Sequence, residues 1–415
     1  MHFKAVCDLL SMRSSVQGVG LAGLRILLKK LGNPEKNFKV IQVAGTNGKG
    51  SVCTLLAHTL STAGYNTGLF ISPHLIHLTE RITLNGVCIP RQALGRILRK
   101  VVSYEENPLN FFELLTICAL VYFAEKKAEY VVLETGLGGR KDPTTVCHPL
   151  VCVITSIGLD HTHLLGNTIE KIAAEKSGII KQKVPVFCGE ISPAALYVIR
   201  AYACQKNAPL MVVRGGNPFW CVQIKWNKNE MILSDGKTRW PLHLMGEKQL
   251  FTACLVYRVC EHLAIEPAII KRSFKTVRLR GRFERISLPR NNFILDGAHN
   301  PQAVKSLLSL WRQHPLYPHG TLLCGFMKDK DFSQMLHLLQ PHFEKIIVTM
   351  PPSKRACGWK ELGPILGKRA VFEPDFKKAF KNAQQERLII CTGSFYLVGA
   401  CLRSIKCKKI SAAIS

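Results

Sequence analysis

Four short apolar runs recur through the first half of the chain, at residues 39–43 (KVIQV), 130–133 (YVVL), 151–155 (VCVIT) and 185–188 (PVFC). Runs this short, with almost no polar alternation, read as strands buried on both faces, which requires helices on both sides of a mostly parallel sheet. The segments 51–63, 111–127 and 168–179 between them have helical periodicity and are long enough to serve as crossovers. Residues 211–245 break this rhythm. Trp220, Trp226 and Trp240, short alternating stretches, and Asn-Lys-Asn and Asp-Gly turn signals predict a small antiparallel insertion there. A second alternating series begins near residue 290, with strands expected at 293–295, 321–324, 345–349, 370–372 and 388–391. Five strands at that spacing make a complete small α/β domain. The basic segment RLRGRFERISLPRNN lies between the series, so the boundary is placed close to Arg285, giving domains 1–285 and 286–415.

Composition narrows the class. A chain of 415 residues with 47% hydrophobic and 20% charged content is a soluble globular protein large enough for two cores. The net charge of +28 raises nucleic acid as a partner, but the lysines and arginines are spread along the chain. The densest runs, Lys271–Arg272 and the lysines at 406–409, are too brief to form an arm, so no nucleic-acid partner is expected. Sixteen cysteines contain no C-x-x-C pair, and many sit in apolar runs (Cys118, Cys152, Cys188, Cys324, Cys391), as small core hydrophobes do. MHFKAVCDLL lacks the features of a signal peptide, so a reducing, cytoplasmic location is expected. The longest apolar stretch, FFELLTICALVYFA, is too short to span a bilayer and carries Glu113 and Thr116, so no membrane association is expected.

Polar clusters follow the strands. After KVIQ comes VAGTNGKGS, so that Gly45, Thr46, Asn47, Gly48, Lys49, Gly50 and Ser51 form a strand-to-helix turn. Backbone N–H groups, the helix dipole and the Lys49 ammonium converge there on one point, which fits a phosphate group. A standard P-loop places Ser or Thr directly after the lysine, whereas Gly50 intervenes here. Glu134, in VVLETGLGGRKD, falls where a neighbouring strand runs out and is suited to holding Mg²⁺ against phosphates. Pro73 holds Ser72 extended in ISPHL, which lets the hydroxyl point into a site. Asp160, His161 and His163 end another strand; imidazole is an uncommon Mg²⁺ ligand, so a histidine here reads as structural or as a zinc ligand. Lys176, in IAAEKSGII, is expected among apolar helix residues, where a lysine is costly unless paired or chemically altered. Asp296, His299 and Asn300, in FILDGAHNPQA, occupy a strand-to-helix turn opening the second domain, so polar residues at strand ends are expected to border a cleft.

VAGTNGKGS, ISPHLIHLTERI, FFELLT, VVLETGLGGR, LDHTHLLGNTIEKIAAEKSGII, GRFE, LDGAHNP, GFMKDKD and TGSFYLVG occur in that order over nearly the whole chain. Together they resemble the folylpolyglutamate synthase family, commonly bifunctional with dihydrofolate synthase in bacteria, within the Mur ligase superfamily. The resemblance implies an N-terminal P-loop ATPase domain and a C-terminal Rossmann-like domain with the active site between them. It implies ATP phosphates on Gly45 to Ser51 and Mg²⁺ on Ser72, Glu134 and His161. It also implies a CO₂-carboxylated lysine at Lys176, which would turn a buried cation into an anion facing the metal. Arg282 and Asp296 match nucleotide contacts. Pro73, His74, Phe111, Phe112 and Glu113 fall in the region associated with the pterin substrate.

Two departures stand out. GEKQLFT carries Lys248 and Thr252 where the family has His and an ATP-contacting Asn, and KDPTT places Thr145 where the family ends Leu-Asp-Ala-Thr-Asn. The implied reaction activates a carboxylate of dihydropteroate or folate with ATP and joins it to L-glutamate, with Lys49, Lys176 and His161 as the catalytic set in a monomer. A Mur-type ligase on a nucleotide sugar is the nearest alternative, although only about forty residues precede the loop, fewer than a usual domain. A P-loop small-molecule kinase is the second; it has no need of a second domain ending in TGSFYLVG.

Overall fold

The computed structural model describes residues 3–189, 191–213 and 217–414, with side chains through residue 405. The basic run at 406–409 therefore has side chains outside the described residues. By contact the chain divides into two compact units. One holds the residues up to Trp220 with Ser234–Trp240 and Leu250–Val277, and the other holds Cys221–Leu233, Pro241–Gln249 and the chain from Arg278 onward.

The first unit contains β1 (Lys39–Ala44), β2 (Thr67–Phe70), β3 (Ile82–Leu84), β4 (Val87–Cys88), β5 (Tyr130–Glu134), β6 (Val151–Ile154), β7 (Val186–Cys188) and β8 (Leu210–Val212). They form one sheet in the order β4-β3-β2-β5-β1-β6-β7-β8. Six strands are parallel, and the hairpin β3–β4 adds an antiparallel edge to β2. Residues 211–212, expected in the insertion, are instead the outer strand of this sheet. The central strand β1 is buried everywhere except at Lys39, as its unbroken apolar run requires. Both its neighbours come from later in the chain, and their registers pair Val43 with Glu134 and Ala44 with Ile154. The carboxyl ends of β5, β1 and β6 thus lie side by side, at the kind of switch point where α/β sheets bind ligands.

The helix Phe111–Glu125 buries eleven of its fifteen residues. Being apolar all round, it needs cover on both sides. The N-terminal helices Phe3–Met12 and Gly20–Lys30 join its core through Val6, Leu10, Leu24, Leu27 and Leu28, which gives the first forty residues a packing role. The insertion follows as β9 (Trp220–Lys225), β10 (Glu230–Ser234) and β11 (Arg239–Leu242), a three-stranded sheet in the order β11-β10-β9. Its turns use the expected residues: Asn229 adopts φ 51°, and the Asp235 carboxylate accepts from the N–H groups of Lys237 and Thr238.

The second unit carries β12 (Glu284–Ser287), β13 (Asn292–Leu295), β14 (Thr321–Cys324), β15 (Lys345–Val348), β16 (Ala370–Phe372) and β17 (Leu388–Thr392) in the order β12-β13-β17-β14-β15-β16. All pairings are parallel except β12 with β13. A boundary at Arg285 would cut through β12. The break by contacts falls at Val277–Arg278, and the sequence misses it because β12 is an edge strand whose half-exposed residues give no apolar signal. Among the described residues every cysteine is free, and no helix is long and apolar enough to cross a membrane.

Candidate active site

The loop after β1 is fastened to the segment after β6. Thr46 N–H donates to the Ser156 carbonyl (2.8 Å), Thr46 Oγ1 to the Gly158 carbonyl (3.1 Å), and Thr155 Oγ1 to the Asn47 carbonyl (2.7 Å). A Cβ on Gly45 would lie 1.9 Å from Thr155 Oγ1, and Gly48 adopts φ 84°, so glycine is required at both positions. The helix Lys49–Thr62 then begins, and the N–H groups of its first turn have no acceptor within the helix. Ser51 is buried in that turn. The Lys49 ammonium folds back onto the carbonyls of Gly45 (3.0 Å) and Thr46 (3.3 Å).

Glu134 ends β5 and is 3% exposed. Its carboxylate accepts the Ser72 N–H at 2.9 Å. A Cβ built on Gly50 would stand 3.5 Å from Glu134 Oε2, so the glycine that interrupts the usual P-loop sequence lies directly against this carboxylate. The geometry therefore brings together the phosphate loop, Glu134 and Ser72. His161 adopts φ 50° ahead of the short helix Thr162–Leu165, with its N–H on Asp160 Oδ1 (2.9 Å) and its ring 6.3 Å from that of His163. Among the described residues no three His, Cys, Asp or Glu side chains form a metal-binding group, which a closed zinc site would need. The Glu134 carboxylate beside the loop after β1 is a donor of the kind a hard divalent cation takes, with water and phosphate oxygens in its remaining positions.

Lys176 lies on the buried face of the helix Ile169–Ser177 with Ile172 and Ala173, and is 4% exposed. Its amine donates to the Gly45 carbonyl at 2.8 Å, so Lys49 and Lys176 share one acceptor. Burial, reinforced by the Lys49 charge, lowers its pKa to about 7 against the opposing pull of Asp160 and Asp142. Asp142 is the brace of the GLGGRKDPTT turn. It accepts from the N–H groups of Gly136 (2.8 Å), Leu137 (3.0 Å) and Thr144 (3.0 Å) and from Thr144 Oγ1, while burial still pushes its carboxyl upward. Thr145 is buried, donates to the Gly139 carbonyl (2.7 Å) and accepts from Gln42 Nε2 (2.8 Å). The KDPTT departure is thus absorbed inside the fold by a glutamine in the middle of β1.

Along the ISPHL loop, Glu80 gathers the N–H groups of Leu75 (2.9 Å) and His77 (3.0 Å). The Arg81 guanidinium donates to His74 Nδ1 (3.0 Å) and lies over the Phe111 ring at 5.1 Å. Ser72–Pro73 is cis, and Pro73 is exposed. Phe112 packs on Phe70, with ring centroids 5.5 Å apart, and on Gly136. Glu113 departs from expectation. It is 3% exposed, and its carboxylate accepts from the N–H groups of Val19 (3.1 Å), Gly20 (3.0 Å) and Asn110 (3.1 Å). Those bonds commit it to shaping the loop before the helix Gly20–Lys30 rather than to contacting a ligand.

In the second unit, Asp296 follows β13 and accepts from the N–H groups of Phe283 (2.9 Å) and Ala298 (2.9 Å). Desolvation raises its pKa and the Arg282 charge opposes that rise. Phe283 adopts φ 46°, an unusual conformation for a bulky residue, which the Asp296 bond holds in place. Arg282 lies over the Phe395 ring at 4.7 Å. Asn300 caps the helix Pro301–Trp311 through Ala303 N–H (2.9 Å). Of the departures in GEKQLFT, Lys248 is exposed and Thr252 is buried in the helix Glu247–His262. Sequence reasoning did not single out Gln42, Asp142 or Phe395, whose partners lie far away in the chain or within loops.

The comparisons with known proteins bear on the same two regions. The Mur ligase middle domain matches residues 43–187, and the Mur ligase glutamate ligase domain matches residues 281–395. The dihydrofolate synthase/folylpolyglutamate synthase of Bacillus subtilis (strain 168) is 32% identical over 93% of this chain and 95% of its own. Escherichia coli FolC, solved in complex with DHPP and ADP, is 28% identical with a TM-score of 0.86, covering 97% of this chain and 98% of that one. A bifunctional folylpolyglutamate synthase/dihydrofolate synthase solved with Mn, AMPPNP and L-glutamate is 27% identical, with a TM-score of 0.84 and the same coverage. A phosphate loop laid against a strand-end carboxylate, joined to a matched glutamate ligase domain along nearly the full length of these relatives, places this chain in the folylpolyglutamate synthase/dihydrofolate synthase family of the Mur ligases.

Proposed function

We propose that the protein is an ATP-dependent ligase that adds L-glutamate to dihydropteroate, to the γ-carboxylate of a folate, or to both, through an acyl phosphate. The observation that carries this reading is the contact of Gly50 with Glu134, which sets a carboxylate for a divalent cation beside the phosphate loop. Relatives solved with ADP, AMPPNP, Mn and L-glutamate support the nucleotide, the cation and the amino acid.

In this reading the N–H groups of the loop from Gly45 to Ser51 hold the ATP phosphates, and Lys49 leaves the Gly45 carbonyl to follow the transferred γ-phosphoryl group. Ser72, Glu134 and His161 would hold Mg²⁺, which would screen the phosphate charges. The acceptor carboxylate attacks the γ-phosphorus and ADP leaves, giving an acyl phosphate. The glutamate amine, having lost its proton, attacks the acyl carbon; the tetrahedral adduct collapses and expels inorganic phosphate, leaving an amide. Activation is needed because oxide is a poor leaving group and phosphate a good one. The Lys49 charge stabilises the phosphoryl group in flight.

Lys176 is assigned as a carboxylated lysine. Carbamate formation requires a neutral amine, and a pKa lowered to about 7 supplies one near neutrality. Pro73, His74, Phe111 and Phe112 are assigned to the pterin side, with Glu113 shaping it from behind. Arg282 contacts the nucleotide, and Asp296 holds the turn that presents it. The domain division carries the same roles, with the loop for the ATP phosphates in the N-terminal unit and the matched glutamate ligase domain in the C-terminal one. A monomer in a cytosolic setting belongs to the same proposal.

The test is phosphate release from ATP with each acceptor, with and without glutamate, with the product analysed by mass. Release that needs both acceptor and glutamate, with a product heavier by one glutamyl residue, is expected. A phosphorylated acceptor as the end product in the presence of glutamate, with no glutamyl product formed, would establish a kinase instead.

A further inference from the structure

We infer that Phe395 is a positioning residue for the ligase reaction, its ring gripping the Arg282 guanidinium and the His299 imidazole. The inference rests on the proposed contact of Arg282 with the nucleotide. Arg282 Cζ lies 4.7 Å from the ring centroid, and the His299 ring centre lies 5.3 Å from it. The ring also rests on the backbone: a Cβ on Gly297 would come within 2.4 Å of Phe395 Cε1, so any larger residue at 297 would displace it.

Both ends of this clamp are fixed. Phe395 opens the helix Phe395–Ile414 directly after β17, where Gly393 (φ 102°) donates its N–H to the Ala298 carbonyl at 3.1 Å. β17 and β13 are adjacent parallel strands, with Leu295 beside Cys391. The ring is therefore anchored to the turn that carries Asp296, Gly297 and His299. His299 Nδ1 lies 3.0 Å from the Gly297 carbonyl, which requires Nδ1 to be the donor. On the other side, Gly297 N–H donates to the Gly281 carbonyl (2.8 Å), and Asp296 accepts Phe283 N–H, so the backbone on either side of Arg282 is held.

A fixed backbone does not fix an arginine, whose long side chain has many rotamers. The aromatic face does so, because the ring quadrupole attracts the guanidinium and selects conformers that stack on it. An aliphatic side chain of similar volume fills the same space without that selection. In the free protein the clamp thus pre-orders a cation for an anionic ligand, which lowers the cost of ordering it on binding.

The experiment compares Phe395→Leu, Phe395→Tyr, Arg282→Met and the double variant F395L/R282M in the full chain, measuring KM for ATP and kcat separately. Phe395→Leu is expected to raise KM for ATP about three- to tenfold with kcat changed less, and Phe395→Tyr to restore it. In the double variant KM is expected to rise no further than in R282M, since the ring acts through the arginine. In the ligand-free protein, the Arg282 side-chain proton resonances, assigned by their loss in R282M, are expected to carry an upfield ring-current shift that disappears in F395L and persists in F395Y. Equal KM values for the Leu and Tyr variants, multiplicative effects in the double variant, or no ring-current shift would overturn the inference. If R282M leaves KM for ATP unchanged while the ring-current shift is present, the nucleotide contact fails and the catalytic role of the clamp falls with it. The resonance measurement needs no activity, and if F395L does not fold, the presence or absence of the shift in the wild type against R282M still decides the stacking.

Discussion

Replacing Lys176 with methionine is expected to make the protein more stable and inactive at once. The amine is 4% exposed and its pKa is lowered from 10.5 to about 7. Between those values the unfolded chain binds more protons than the native one, so the stability of the wild type rises with pH across that window. One pH unit of full difference is worth about 1.4 kcal/mol, so keeping this amine buried at pH 7 costs about 5 kcal/mol. Methionine has nearly the same length and no charge to desolvate, but loses the bond to the Gly45 carbonyl, worth about 1 kcal/mol. The expected net gain at pH 7 is therefore several kcal/mol, an order-of-magnitude figure.

The pH dependence is the sharper quantity, because the methionine variant lacks the titration while other differences cancel. Its advantage should shrink by about 2 kcal/mol between pH 7.5 and 9 and should level off below about pH 6. Urea unfolding of both proteins in CO₂-free buffer, without nucleotide or metal, measures this. Adding bicarbonate should then stabilise the wild type alone, since a ligand that binds only the native state shifts the midpoint by mass action. Parallel pH curves for the two proteins would show that Lys176 keeps an ordinary pKa, and the argument from burial would fail.

Gly50→Ala should add up to about 1 kcal/mol of stability, because alanine is the better helix former and the new Cβ meets Glu134 only at ordinary contact distance. The same methyl takes up space beside the carboxylate that a bound cation would need, so Mn²⁺ affinity in the presence of AMPPNP should fall; unchanged metal binding would separate Glu134 from the metal. Glu134→Gln keeps an acceptor for Ser72 N–H and so should keep the fold, while ATP-driven phosphate release drops by about a hundredfold or more. Glu113→Ala removes the acceptor of three backbone N–H groups and should cost about 3 kcal/mol in urea unfolding. KM for the pteroate or folate acceptor should rise with KM for ATP unchanged, and a rise in both would show damage beyond that loop.

The parts legible in the sequence are those where a local pattern fully describes a local environment. The run KVIQV followed by glycines and a lysine specifies strand, loop and helix start, and β1 and the helix Lys49–Thr62 lie where that pattern puts them. β13, β14, β15 and β17 are legible for the same reason, being buried on both faces along most of their length, whereas β16 is an edge strand with Val371 exposed. β2 and β12 were not legible. β2 is the four residues TGLF with a glycine inside it, and β12 is a half-exposed edge whose partner alone defines it. Glu113 shows a misread signal rather than an absent one. Asn110-Phe-Phe-Glu113 has the spacing of a capping box, which announces a helix start and accounts for one of the three bonds its carboxylate makes. The clamp on Arg282 leaves no local trace, because Phe395 meets it only through the adjacency of β13 and β17.

These features share a physical cause. The ends of β5, β1 and β6 bring Glu134, the phosphate loop and the Lys176 helix to one edge, so charged groups there are buried by the same packing that aligns them. Burial first, and then the repulsion between two lysines on one carbonyl, lowers the Lys176 pKa toward neutrality. A ligand that draws Lys49 toward phosphate would relieve the repulsion and let Lys176 reprotonate, unless CO₂ has already converted the amine to an anion. The stability cost at Lys176 and the charge arrangement needed for phosphoryl transfer are therefore one property of this edge. A substitution that relieves the first should abolish the second.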